Sequence, residues 1–433
     1  MKKFSLIIGL IFPSLLFAQA QQLSLKDAIQ TAVQNNYDVV ITKNQAEIAA
    51  INNNWGTAGA LPVVSATANK ILGSNNLQQD LSNGTTIKKN GASVNNLNAG
   101  LAASWTFFDG LRMFATKKRL EELEKIGQLN FTKMVNETTY DVIVAYFNIV
   151  RLQQQARATK EVIGLYEERF KVADARFRIG TAAKPDMLQA QVDLNEQRSN
   201  LLTIENSISI AKTDLNTFLA RDPATPFNTT DSFTLTTPVN ILSLQQKIDL
   251  QNPDVLVAQS NLFVLMQRKR EINADRLPTA TLNGFYNFVR NRNSAGFTLL
   301  NQTSGPSGSI GITVPIFNGG IIKRQLEVIN IEIKNQDIIT NKLKNQLQSN
   351  LAKAYLNYSN GLKLVEFEQK NMELVKENNF INLERFKKLS ITSVELRQGQ
   401  INYTDAQTRL INAQYQAKIA EAEMLLLVGE ISL

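Results

Sequence analysis

The sequence predicts a mainly α-helical protein with a membrane β-barrel, built from two tandem structural repeats that each contain two β-strands and long coiled-coil helices. Three observations support this fold class. Short motifs recur in the two halves of the 433-residue chain at nearly constant offsets. Four segments of about ten residues alternate apolar and polar positions, as tilted membrane-spanning strands do. Two proline-free stretches of about seventy residues carry apolar residues at helical spacing.

The N-terminal residues predict a secretory signal sequence. Lys2 and Lys3 give a basic start, an apolar run follows over Ile7–Phe17, and Ala18-Gln19-Ala20 has the small residues of a cleavage site. The apolar run is shorter than the roughly 20 residues that a transmembrane helix needs. We therefore expect a mature chain that begins near Gln21 and contains no transmembrane helix.

The amino-acid composition argues against an enzymatic function. The chain contains neither cysteine nor histidine, which removes thiol chemistry together with the commonest general base and metal ligand near neutral pH. We predict no enzyme, no catalytic or metal-ligating residue and no cofactor. The formal net charge is +8, but basic and acidic residues alternate along the predicted helices, as on a solvated surface and unlike a nucleic-acid-binding stripe.

Two sets of motifs establish the internal repeat. Ala60-Leu61-Pro62-Val63 and Arg276-Leu277-Pro278-Thr279 are separated by 216 residues, whereas Phe108-Asp109-Gly110 and Phe317-Asn318-Gly319 are separated by 209. The smaller second offset predicts a longer loop between the two motifs in the first copy. The predicted parts of the chain are a signal sequence (1–20), a first repeat (21–221), a connector (222–242) and a second repeat (243–433).

Each repeat is expected to contain two strands. Alternation is clearest over Leu97–Phe107 and Gly308–Ile316, where one face is apolar and the other is small or polar. Val64–Leu72 and Ala280–Phe288 alternate less strictly and are predicted as their partners. A half-buried soluble sheet would give the same alternation, so the strand pattern alone leaves both locations open. The predicted loops are Ser74–Asn96 and Asn291–Pro306, and the predicted membrane-interface aromatic residues are Trp105, Phe107 and Phe288.

The helices favour the membrane interpretation. Long helices are predicted from Leu111 to about Ile179 and from Ile321 to about Leu389, and each would be about 100 Å long. Helices of this length need neighbours along their whole length, as in a coiled coil. The shorter helices predicted as those neighbours are Leu25–Gly56, Pro185–Leu219, Leu242–Ala274 and Val394–Val428.

Short turns are expected where the second strand of each repeat meets its long helix. Gly110 and Gly319 can adopt the backbone conformation of a sharp turn, and Asp109 or Asn318 can cap the helix that follows. Four membrane-length strands cannot close a barrel alone, because about eight are needed and an open edge in lipid leaves backbone groups unpaired. Several copies are therefore expected to join into a conduit across the cell envelope.

These motifs resemble those of the TolC family of outer-membrane efflux and secretion channels, and the resemblance covers essentially the whole mature chain. It rests on the Leu-Pro pair before each first strand, the Phe-Asp-Gly and Phe-Asn-Gly turns, and the Arg-Phe pairs that precede the shorter helices. The resemblance implies a homotrimer with a 12-stranded barrel in outer-membrane lipid, continued by an α-helical periplasmic tunnel. It also implies docking to a periplasmic adaptor protein and an inner-membrane transporter.

The resemblance suggests roles for residues between the paired helices. Glu395 and Gln398 match positions where family members narrow the tunnel with acidic rings, although one carboxylate is here an amide. Asp186 follows Pro185, so helix-start chemistry competes with a pore role, as first-turn acidity does for Glu395. The residues that resemble the adaptor-docking tips, or are simply basic and turn residues at helix ends, are Arg176, Arg178, Gly180, Arg385 and Lys387.

One other functional class remains open from the sequence. A secreted periplasmic coiled-coil adaptor or scaffold protein would also combine a signal sequence with long helices and short strands. It would be water-soluble without detergent, and its weakness is the apolar face of Leu97–Phe107.

Overall fold

The computed structural model describes residues 21–230, 232–235 and 240–431. The predicted signal sequence with its cleavage site lies outside these residues, as do 231 and 236–239 of the predicted connector. The elements in chain order are β1 (Gln21–Leu23), α1 (Leu25–Asn35), α2 (Tyr37–Asn52), β2 (Val63–Asp80), β3 (Thr86–Phe108), α3 (Arg112–Arg178), α4 (Lys184–Phe218), β4 (Phe227–Thr229), α5 (Ile241–Gln251), α6 (Pro253–Ala274), β5 (Thr279–Asn293), β6 (Leu300–Thr313), α7 (Ile321–Lys387) and α8 (Ser393–Val428).

Two compact units share the chain. The first contains the described residues up to 41 together with 133–252 and 346–431, and the second contains 42–132 and 253–345. The long helices α3 and α7 have 67 residues each and contribute to both units. Within the described residues, no helix combines the length and apolar character needed to cross a membrane.

The second unit contains a four-stranded antiparallel sheet in the order β2-β3-β5-β6. Its strands have 14 to 23 residues, so the predicted loops Ser74–Asn96 and Asn291–Pro306 were mostly wrong. Main-chain hydrogen bonds stabilise these hairpins whether the side chains are polar or apolar. A tight turn at 81–85, with Gly84 at φ +83°, closes the first hairpin. The last strand ends at Thr313 and not at Ile316, close to Pro315, which has no N–H to donate.

The first unit has its main apolar core around α3 and α4. Val142, Tyr146, Ile149 and Leu215 are almost completely buried. The Tyr146 hydroxyl donates to the Leu23 carbonyl oxygen at 2.8 Å. Leu23 belongs to β1, which pairs in parallel with β4. This pair ties the start of the first repeat to the segment that follows it.

The predicted helices Leu25–Gly56 and Leu242–Ala274 are each broken into two. Asn36 (ψ 130°) and Asn252 (ψ 121°) have extended backbones at the breaks. The Asn36 side-chain amide donates to the Phe218 carbonyl oxygen at 3.0 Å, and the Asn252 amide donates to the Leu427 carbonyl oxygen at 2.9 Å. An asparagine at the equivalent position of each repeat thus donates a hydrogen bond to a main-chain carbonyl near the C-terminal end of a helix, where such carbonyls lack a partner within the helix.

Left-handed backbone positions also follow the repeat. Each non-glycine residue with positive φ in the described part of the chain matches a glycine 209 positions away in the other copy, so the backbone conformation is retained even where the residue that favours it is not. The pairs, with φ in degrees, are Leu111 (69) and Gly320 (72), Ala220 (50) and Gly429 (79), and Leu389 (63) and Gly180 (77).

Candidate functional site

One face of the four-stranded sheet is apolar over most of its area. The strand register places Ala66, Leu101, Tyr286 and Pro306 in one row across the sheet. Along β5 this face is apolar or glycine from Ala280 to Phe288, a length of about 27 Å. In the single chain many side chains of this face are exposed: Val64 is 70% exposed, Leu101 56% and Ile310 69%. An exposed apolar face of this size needs a covering partner or lipid.

Both edges of the sheet are open in the single chain. Within the described residues, β2 pairs only with β3 and β6 pairs only with β5. Each outer edge therefore presents unpaired N–H and C=O groups over the length of a strand. The sheet is complete only when these edges meet other strands.

The three predicted interface aromatics lie towards the two ends of the apolar face. Trp105 and Phe107 lie at the end that leads into α3, and their ring centroids are 6.1 Å apart. Both are exposed, and the Trp105 indole N–H donates to the Ala60 carbonyl oxygen at 2.9 Å. Phe288 lies opposite Ala99, closer to the hairpin turns. This arrangement suits side chains with an apolar body at an interface with water.

The two strand-to-helix turns differ in packing. Asp109 accepts a hydrogen bond from the Met113 main-chain N–H at 2.8 Å, while Asn318 contributes its main-chain carbonyl to Ile321 at 3.3 Å. Gly110 and Gly319 both have positive φ. A Cβ at Gly110 would lie 2.5 Å from the Ala274 carbonyl oxygen, whereas one at Gly319 would meet nothing within 4 Å.

The tip between α3 and α4 is held by main-chain bonds. The Arg176 carbonyl oxygen accepts from the Thr181 N–H at 2.9 Å, and the Arg176 guanidinium lies 5.0 Å from the centroid of the Phe386 ring. Arg178 is exposed and pairs with Asp174 at 2.8 Å. Gly180 has φ +77° and open space around its Cα, so it ends α3 in the left-handed conformation.

The tip between α7 and α8 carries two further basic residues. Arg385 and Lys387 are both exposed, and Lys387 pairs with Glu384 at 2.9 Å. Leu389 occupies the left-handed position that Gly180 fills in the other tip. The structure therefore brings Arg176 against the second tip and leaves Arg178 and Lys387 in local ion pairs with their own helices.

Glu395 forms a capping box at the start of α8. Its carboxylate accepts from the Thr392 main-chain N–H at 2.8 Å, and its own N–H donates to the Thr392 hydroxyl. The main-chain hydrogen bond from Thr392 is the largest of the effects that lower the pKa of Glu395, and the Thr392 hydroxyl and the charge of Arg385 lower it further. Asp186 is the equivalent first-turn acid of α4 and is exposed.

Gln398 makes a local bond that the other repeat also makes. Its side-chain amide donates to Asn402 at 3.0 Å, and Gln189, 209 residues earlier, donates to Asp193 at 2.7 Å. The bond shows that Gln398 has a structural partner on its own helix.

Sequence reasoning missed a buried charge cluster near these tips. Arg169 and Asp193 are 1% and 2% exposed, and their guanidinium and carboxylate groups are 2.8 Å apart. Arg397 also contacts the Asp193 carboxylate at 3.0 Å, and Gln400 accepts from Arg169 at 3.4 Å. Burial also raises the pKa of the nearby Tyr166 hydroxyl. A comparison of the two repeats could have revealed this charge cluster. The positions of the second copy that are equivalent to Arg169 and Asp193 are 378 and 402, and both are uncharged asparagines.

The sequence profile of the outer membrane efflux protein family matches residues 18–221 and 244–430. The chain belongs to this family. This finding confirms the family predicted from the sequence. It also agrees with the predictions of an outer-membrane location, a transport function and the lack of an enzymatic activity. The boundaries predicted for the two repeats remain predictions.

Individual relatives of this efflux-family chain are distant. It is 22% identical to Protein CyaE of Bordetella pertussis over 60% of this chain and 56% of the relative. It is 24% identical to Toxin and drug export protein A of Aggregatibacter actinomycetemcomitans over 74% of this chain and 66% of that relative. The chain thus spans less than two thirds of the length of these curated relatives. The outer-membrane channel OprN has the same fold, with a TM-score of 0.78 at 14% identity over 94% of this chain and 90% of that one.

Proposed function

We propose that this chain is the outer-membrane channel component of a tripartite efflux or type I secretion system. Three copies form the duct, the strands lie in outer-membrane lipid and the helices form the periplasmic passage. A periplasmic adaptor protein and an inner-membrane transporter are its partners. The names of the relatives, which include toxin and drug export, support small molecules or proteins as cargo.

The observation that carries this proposal is a four-stranded sheet with two open edges and an exposed apolar face. Four strands are fewer than the roughly eight needed to close a membrane barrel. Three copies of the sheet supply twelve strands, and pairing β6 of one copy with β2 of the next removes every open edge. A closed barrel also satisfies all backbone groups in lipid.

The helix tips are the proposed sites of selection and docking. Glu395, Gln398 and Asp186 are proposed to line the narrow periplasmic end, and Arg176, Arg178, Gly180, Arg385 and Lys387 to face the adaptor. The exposure of most of these side chains supports a contact role. The capping box of Glu395 is compatible with a pore role, because its carboxylate stays charged and three such groups attract cations.

The experiment that tests the proposal is conductance in a planar bilayer with the detergent-extracted protein, whose oligomeric mass is read from the same sample. We expect discrete conductance steps from a trimer. A water-soluble monomer that produces no steps from a folded preparation would refute the channel and favour the periplasmic adaptor or scaffold function.

The role of Glu395 is tested in the same recordings. Glu395→Gln keeps a side chain that can accept the capping-box bond and removes the charge, so we expect a lower preference for cations over anions at unchanged helix content. Asp186→Asn is the matched change at the equivalent position of the other repeat. Unchanged ion selectivity in Glu395→Gln would show that this carboxylate does not line the pore.

A further inference from the structure

Three basic side chains interrupt the apolar face of the sheet at its far end. Lys70 on β2 and Arg290 on β5 both pair with Leu97 of β3, which places them in one row on that face. Arg292 lies two residues further along β5 and therefore on the same face. All three are exposed. We refer to Lys70, Arg290 and Arg292 as the basic cluster.

The spacing of the basic cluster suits one polyanionic group. Lys70 and Arg290 are two strand positions apart, or about 10 Å between Cα atoms, and Arg290 and Arg292 are about 7 Å apart along the strand. Long basic side chains can reach a common anion from these positions. Within the described residues, none of these three basic side chains forms an ion pair. Asp80 is the only acidic residue in the four strands. Its carboxylate accepts from the Thr86 hydroxyl at 2.6 Å.

The position of the cluster identifies the kind of anion. Tyr286 and Phe288 precede Arg290 on the same face, so the cluster lies directly beyond the apolar segment and its aromatic end. It also lies on the side of the hairpin turns, opposite the strand ends that lead into the helices. In the duct proposed above, this face contacts lipid and this end lies in the outer leaflet. Cations at that level meet headgroups rather than acyl chains.

We infer that the basic cluster binds the phosphates of a phosphorylated glycolipid in the outer leaflet of the membrane. This inference rests on the proposed function for the orientation of the sheet. Guanidinium groups bind phosphate in a bidentate manner and the lysine adds a point charge. The cluster would fix the depth of the barrel in the membrane and retain a shell of anionic lipid around it.

The test uses the full chain in nanodiscs of zwitterionic phosphatidylcholine, with lipid A, which carries two phosphates, as the probe. Native mass spectrometry counts the lipid A molecules retained at increasing probe concentration. The variant combines Lys70→Gln, Arg290→Gln and Arg292→Gln. Because each basic residue at an anionic surface contributes about fivefold in affinity, we expect a loss on the order of 100-fold, and the wild-type affinity should fall with added salt.

The matched control removes the same charge from helices of the same unit. Lys118, Lys334 and Lys342 are exposed, and changing all three to glutamine should alter lipid A affinity less than twofold. Equal losses in the two triple variants, or wild-type affinity in the strand variant, would overturn the inference. Displacement of lipid A by an equal concentration of inorganic phosphate would also overturn it, since the cluster would then be a general anion site.

Two further readouts keep the tests separable. Arg290→Gln alone should lower the affinity about fivefold, which keeps the inference testable if the triple variant does not assemble. The strand variant should retain the conductance steps of the wild type, because the three changed positions face away from the passage. Absence of steps in the wild type itself would instead count against the proposed function.

Discussion

Removing the Asp193 carboxylate should loosen the helices around the buried charge cluster. Asp193 accepts from Arg169 at 2.8 Å, from Gln189 at 2.7 Å and from Arg397 at 3.0 Å. Arg169 is 1% exposed, so in Asp193→Ala its charge stays buried without its carboxylate partner. Arg397 is affected less, because 43% of its side chain is exposed to water.

The expected cost is about 3–5 kcal/mol, the range for leaving one partner of a buried ion pair uncompensated. Local opening would then be about 100- to 4,000-fold more frequent, since each 1.4 kcal/mol corresponds to a factor of ten. Hydrogen exchange of main-chain amides in α3, α4 and α8 around Arg169, Asp193 and Gln400 measures this opening. The double variant Arg169→Met with Asp193→Leu should restore most of the protection, because the only charge that it leaves without its Asp193 partner is that of Arg397, which is 43% exposed to water.

The control is Arg198→Ala, which removes a half-exposed pair with Glu167 at 2.7 Å. Exposed pairs contribute at most about 1 kcal/mol, or roughly fivefold in exchange. If Asp193→Ala accelerates exchange no more than Arg198→Ala, the buried cluster does not hold these helices together. The reasoning from burial would then be refuted.

Three further predictions concern turns and caps. Gly110→Ala should destabilise the protein by about 3 kcal/mol, because a Cβ there adds left-handed strain and a close contact with Ala274. Gly319→Ala should destabilise it by only about 1 kcal/mol, from the strain alone. Equal shifts in the guanidinium midpoint of unfolding for the two variants would contradict this. Leu389→Gly should stabilise the protein by about 0.5–1 kcal/mol, because the relief of left-handed strain at this exposed position exceeds the cost of the greater chain entropy of the unfolded state. A lower guanidinium midpoint of unfolding than that of the wild type would refute this prediction. The pKa of Glu395 lies below its ordinary value of 4.5, so its contribution to the start of α8 is present above that pH and is lost as the pH falls through the lowered pKa. Protection factors in the first turn of α8 should therefore decline in acid for the wild type and remain flat in Glu395→Gln.

Much of the fold could be predicted because its signals are local or repeated. The long helices were predicted to within two residues of α3 and α7, since apolar spacing and the lack of proline are properties of adjacent sequence. The turn glycines Gly110 and Gly319 were predicted for the same reason, and both have the positive φ that a glycine permits.

The errors have a common physical origin in contacts between distant residues. Most of the polar segment Ser74–Asn96 lies in β2 and β3 because main-chain partners lie opposite it, and no side-chain pattern reports that pairing. Asn36 breaks a helix because its side chain reaches the Phe218 carbonyl, which is 182 residues away in the chain. The helix-cap chemistry of Glu395 was one of two sequence interpretations, and its hydrogen bonds with Thr392 confirm that it is present.

The sequence by itself determined the duplicated plan, the lengths of the two long helices and the alternation of the strands, because these depend on residues a few positions apart. The tertiary structure decided the length and order of the strands, the two open edges of the sheet, and the burial of Arg169 against Asp193. It also placed Lys70 on the same face as Arg290 and Arg292, with only β3 between them, although 220 residues separate Lys70 from Arg290 in the chain. Strand register and burial arise from non-local contacts, which only the folded chain brings together.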